Sequence, residues 1–175
     1  METLDKPASL PAAAARSSPK TLVLGLGNPL LSDDGVGLHV VTALRRRLAG
    51  RLDIELDKEY CGGLRLMERL IGCDRAIVID AICSGATPGT IRVLSPDEGA
   101  TRHSSSAHDA DLGTALAVGR RNGAALPASE NIRLVAVEAG DVLTFGEACT
   151  PQVQACVEQA AETVVAILSN WRHEQ

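Results

Sequence analysis

Apolar and polar positions change period several times along the chain, and each change predicts an element. Thr21–Leu26 (TLVLGL) is a short apolar run beside glycine, the pattern of a buried strand. Over residues 35–49, Val40, Val41, Leu44 and Leu48 recur at helical spacing. Residues 52–56 alternate, with Leu52, Ile54 and Leu56 on one face, which predicts a second strand. A short helix is expected over 64–71. Residues 75–80 (RAIVID) are apolar on both faces, as in a central strand. A fourth strand is expected over 90–94. Only residues 81–89 precede it, too few for the crossover of a parallel neighbour, so it should be antiparallel and lie near an edge. Residues 95–107 are polar and irregular. A helix over 107–121 carries Leu112, Ala115, Leu116 and Gly119 on one stripe. A fifth strand over 132–137 and a last helix over 151–168, opened by Pro151, complete the series.

Alternating strands and helices predict an α/β protein of three layers, α/β/α. Its five-stranded sheet should be twisted and mostly parallel, with one antiparallel edge strand. The organisation expected is a disordered leader over 1–20 followed by one domain over 21–170. The leader is rich in Ala, Pro and Ser and has no periodic apolar face. In such sheets, sites lie at the carboxyl ends of the strands.

Composition narrows the partners. Hydrophobic residues make up 45% of the 175, but aromatics only 2%, so the core is aliphatic and no base-stacking platform is available. The net charge is -5, without the basic footprint of a nucleic-acid binder. The one dense basic run, Arg45, Arg46 and Arg47, falls late in a predicted helix, where cations suit the dipole. The five cysteines, Cys61, Cys73, Cys83, Cys149 and Cys156, contain no C-x-x-C pair, which suggests neither a disulfide framework nor a zinc site. Reduced thiols point to the cytoplasm. No apolar stretch approaches the ~18 residues of a membrane span. No nucleic acid or membrane partner is expected, and the protein should be a monomer.

Three junctions carry candidate chemistry. The first strand runs into GLGNPLLSDDGVG, residues 25–37. Position 30 is leucine, so the third glycine of a dinucleotide turn is missing. Asp33 and Asp34 would also repel a phosphate there. As local structure, Asp33 would cap the helix and Asp34 would sit in its first turn. The flanking glycines let something approach the backbone closely. Asp80 ends the central strand, where a carboxylate is costly unless paired, hydrogen-bonded or bound to metal. Alone, such an acid is as often a structural cap. His108 follows Ser106, a possible cap, in the first turn of a helix, where the dipole favours neutral imidazole. Alone, such a histidine is more often surface decoration. His39, His103 and His173 are less well placed. Together, two carboxylates and one imidazole suit a borderline divalent ion such as nickel or zinc and leave coordination positions open. No Ser–His–Asp or Cys–His arrangement falls at the junctions. Cys83, three residues after Asp80, reads as a small buried thiol. The catalytic residues are unassigned.

The stretch 25–37 resembles the opening motif of the hydrogenase maturation peptidases, which process the large subunit of nickel–iron hydrogenases. The resemblance continues in 75–84, in SAHDADLGTAL (106–116), and in Thr150, Pro151, Gln152 and Val153 before the final helix. It implies that Asp34, Asp80 and His108 are the metal ligands, with Asp34 standing where some members carry the longer Glu. It also implies that the metal is nickel already inserted in the substrate precursor, and that the enzyme, an endopeptidase, then removes a C-terminal extension. Two alternatives share some features. A non-catalytic nickel-sensing maturation chaperone would use the same three ligands. A peptidyl-tRNA hydrolase shares the GLGNP opening, but Leu30, Leu31, Ser32, Asp33 and Asp34 then depart from that family's continuation, and the acidic balance disfavours a tRNA ligand.

Overall fold

Strict alternation along the strands separates two aliphatic cores. The computed structural model describes residues 20–96 and 112–173. Its strands are β1 (Thr21–Leu26), β2 (Ile54–Glu59), β3 (Arg75–Ile82), β4 (Ile91–Leu94) and β5 (Ile132–Glu138). They lie in the order β2-β1-β3-β5-β4. All neighbours are parallel except β4 and β5. Val23, Ile77, Ile79, Val135 and Val137 face α1 (Val36–Arg47) and α4 (Pro151–His173). Leu22, Leu24, Ala76, Val78, Leu134 and Ala136 face α2 (Gly63–Leu70) and α3 (Leu112–Arg121). Two-residue periodicity thus puts a helix layer on each side of a sheet buried on both faces.

The architecture is the expected three-layer α/β/α, with its antiparallel edge strand. The differences lie at boundaries. Leu52 was expected on the buried face of the second strand, yet it is 100% exposed and the strand begins at Ile54. Residues 52 and 53 form a turn, Arg51 pairs with Asp53, and Thr21 N–H donates to the Asp53 carbonyl where the ladder starts. β3 extends to Ile82 and α4 to His173, both past their expected ends. Residues 1–19, the polar stretch 97–111 and residues 174–175 lie outside the described residues.

Three glycines fix how β1 enters α1. A Cβ on Gly25 would lie 2.2 Å from the Gly37 carbonyl oxygen, and one on Gly37 would lie 2.4 Å from the carbonyl oxygens of both Leu26 and Ile79. Gly27 has φ +146°, and a Cβ there would lie 1.9 Å from the Asp34 carbonyl oxygen. The chain that approaches these glycines is the protein's own backbone. Close packing of α1 on β1 and β3, rather than ligand access, accounts for them.

Candidate functional site

The strand order reverses between β1 and β3, and the carboxyl ends of these strands are the position at which open α/β sheets bind ligands. Asp34 and Asp80 flank it. Asp34 lies in the 3-10 turn Ser32–Gly35 that leads from β1 into α1. It is half-buried, and its Oδ2 accepts the Asn28 N–H at 2.7 Å, which steers the carboxylate back towards the end of β1. Asp80 lies one residue beyond the Gly25–Ile79 register pair, level with the end of β1, and is fully buried. By alternation its side chain is on the α2/α3 face. The turn and the strand end therefore share one edge of the sheet. Among the described residues no group of three or more His, Cys, Asp or Glu side chains is set to hold a metal. His108, the third expected ligand, lies outside them.

Asp33 does not cap its own helix; the 3-10 turn has no side-chain cap. It is fully buried and reaches across to other segments. Its Oδ2 accepts the N–H groups of Gly140 at 2.8 Å and Asp141 at 2.9 Å and the Thr150 hydroxyl at 3.0 Å. Its Oδ1 accepts the Thr150 N–H at 2.6 Å, just before α4. Its own N–H donates to the Asp141 carbonyl.

Glu138 is a third buried acid, after Asp80 and Asp33, and falls one residue beyond the expected strand, which stopped at Val137. It ends β5 in register with Ile82, on the same face as Asp80. Its carboxylate accepts the N–H groups of Ser84, Gly85 and Ala86 and the Ser84 hydroxyl, with Arg92 3.5 Å away. Burial pushes this carboxyl up, but the donors of Ser84, Gly85 and Ala86 outweigh it and hold it below the usual range. The signal that singled out Asp80, an acid closing an apolar strand, would have found it.

The thiols divide by environment. Burial, together with the nearby Asp33 charge, pushes Cys149 up to about 11. Burial likewise raises Cys156. Neither is a thiolate at neutral pH. Cys83 was expected to be buried, but it follows the end of β3 and is exposed. His39 Nε2 lies 3.1 Å from the Glu147 carbonyl oxygen, beside Gly35 of the acidic turn.

The rim of this edge is apolar. Leu31 and Phe145 form an antiparallel bridge, Ser32 N–H donates to Thr144, and Gly146 N–H donates to Leu30. On this small lip, held by a single bridge, Leu30, Leu143 and Phe145 are 56%, 80% and 83% exposed.

Fold and site together define a mostly parallel α/β protein with two acids, Asp34 and Asp80, beside its topological switch point. A family model described as hydrogenase maturation protease matches residues 38–167. The Hydrogenase 2 maturation protease of Escherichia coli (strain K12) is 32% identical over 152 residues, 85% of this chain and 90% of its own length. The hydrogenase expression/formation protein HupM of Azotobacter chroococcum mcd 1 is 32% identical over 158 residues, 87% of this chain and 73% of its own. The solved structure of the hydrogenase maturating endopeptidase HybD from E. coli superposes with a TM-score of 0.74 at 31% identity, covering 86% of this chain and 93% of that one. The chain belongs to the hydrogenase maturation protease family and is a peptide hydrolase. The resemblance read from the glycine–acid turn and the later motifs is borne out. The assignment is to a protease, not to the chaperone or the peptidyl-tRNA hydrolase alternative.

Proposed function

We propose that this protease removes the C-terminal extension of a nickel–iron hydrogenase large-subunit precursor, and that Asp34, Asp80 and His108 read the nickel the precursor already holds. The observation that carries this reading is the pair of acids at the switch point, Asp34 after β1 and Asp80 two residues before the end of the neighbouring β3, level with the end of β1. The direction of α3 supports the third member. α3 leads to the sheet's amino edge, where Gly72 N–H donates to the Ala125 carbonyl, so its first turn points to the carboxyl edge on the Asp80 face. His108 is four residues before Leu112 in sequence.

Two carboxylates and an imidazole make a sparse set for a borderline ion. Such a set suits docking onto a metal presented by the precursor, which couples cutting to completed metal insertion. A polarised carbonyl or a bound water at that metal would supply the hydrolytic chemistry. The apolar lip of Leu30, Leu143 and Phe145 gives the precursor a surface beside these acids. The same reading has the enzyme act as a monomer in the cytoplasm, where its thiols stay reduced. The test is to incubate purified enzyme with precursor made with and without nickel and to follow loss of the C-terminal peptide by mass spectrometry. Cleavage of the loaded form alone is expected. Equal cleavage of both forms would reject nickel recognition while leaving the protease assignment standing.

A further inference from the structure

We infer that Asp33 is a positioning residue, which sets the acidic turn carrying Asp34 against the 140–150 loop and the start of α4. A fully buried carboxylate is costly unless its lone pairs are filled. Those of Asp33 are filled by donors from two distant segments, Gly140 and Asp141 after β5 and Thr150 before α4. Every group facing it is a donor, so a carboxylate fits where a carboxamide would turn its NH2 on one of them.

The restraint passes to Asp34 through the backbone. Asp33 and Asp34 are consecutive in one 3-10 turn, and the Asp33 N–H is itself tied to the Asp141 carbonyl. From the other side, Gly27 packs against the Asp34 carbonyl, and Asn28 N–H donates to Asp34 Oδ2. The turn is therefore held between the end of β1 and the loop that bears Leu143 and Phe145. Asp33 touches no substrate in this arrangement. It fixes the relation between a group that contacts the metal and the apolar rim.

This inference rests on the reading of Asp34 as a contact to the precursor's nickel, so the test has two independent arms. The first arm is amide hydrogen exchange by NMR on the full chain, in wild type, Asp33→Asn, Thr150→Val and Thr150→Ser. Asp33→Asn should lower protection of the Asn28 amide, the reporter of Asp34, along with that of Gly140, Asp141 and Thr150, by at least roughly tenfold. Thr150→Val should give a smaller loss, and Thr150→Ser, which keeps both donors, should restore wild-type protection. The second arm is processing of nickel-loaded precursor. Asp33→Asn should lower kcat on the order of 10–100-fold, as for other residues that orient a metal contact, with Thr150→Ser at the wild-type rate. Unchanged protection at Asn28 in a folded Asp33→Asn protein would overturn the inference, whatever the second arm gives. Normal exchange effects with no nickel-dependent cleavage in wild type would leave the positioning role standing and remove the reading of Asp34.

Discussion

Alanine at Gly37 tests whether the glycines of the opening motif exist for backbone packing. Its Cβ would stand 2.4 Å from two carbonyl oxygens and 2.9 Å from the Leu26 nitrogen, all below the 3.0 Å that real Cβ atoms respect. Two effects compete. Alanine in a helix is favoured over glycine by about 1 kcal/mol. Overpacking a dense interior costs about 1–3 kcal/mol, occasionally more. The atoms met here belong to the backbone of the central strands β1 and β3, which have no rotamer to change, so the cost falls at about 3 kcal/mol or above. A net loss of about 2 kcal/mol or more follows, and for a domain of this size that lowers Tm by about 4–8 °C or more. Because α1 is pushed off the sheet just after the acidic turn, processing should fall with it. The assay is thermal unfolding by circular dichroism, with Gly146→Ala as control, since a Cβ at Gly146 meets only the Ala148 carbonyl oxygen, at an ordinary 3.9 Å. The control should stay within about 0.5 kcal/mol of wild type. A Gly37→Ala protein that melts within about 2 °C of wild type would refute the packing argument.

Glu138→Gln should cost about 1–2 kcal/mol at neutral pH, because the amide nitrogen meets Arg92 and the loop donors lose a charged acceptor. The Glu138 carboxyl is held below its ordinary 4.5, so its contribution is complete above that value and is lost as pH falls through the lower folded-state value. The gap in melting temperature between wild type and Glu138→Gln should therefore narrow as pH falls below 4.5, and a gap that widened on acidification would contradict the assignment. Phe145→Ser alters an 83% exposed side chain, so melting should hold within about 0.5 kcal/mol. Its KM for the loaded precursor should rise roughly threefold or more with kcat unchanged, the signature of lost uniform binding. A wild-type KM would remove the lip from the docking surface.

The sheet was legible because period and spacing are local signals. The short 81–89 connection excluded a parallel neighbour, and β4 is antiparallel at the edge. Leu52 continues the alternation of Ile54 and Leu56 along the sequence, and nothing in residues 52–56 shows that a turn holds it outside the ladder. Asp34 and Asp80 were found by their positions at strand ends. Asp33 was misread, because its partners Gly140, Asp141 and Thr150 lie more than a hundred residues away and no local pattern announces them. Glu138 was missed by a one-residue strand boundary. The glycines were marked correctly as sites of close approach, while the partner in that approach, the chain itself, needed three dimensions.

On the proposed function, one edge of the sheet reads the nickel of a hydrogenase precursor through Asp34, Asp80 and His108. The direct measurement is cleavage of nickel-loaded precursor by wild type, Asp80→Asn and His108→Ala, each shown to be folded by its circular dichroism and melting profile. Wild type should release the C-terminal peptide, with both variants slowed at least roughly a hundredfold. Wild-type cleavage by a folded Asp80→Asn or His108→Ala protein would contradict this reading.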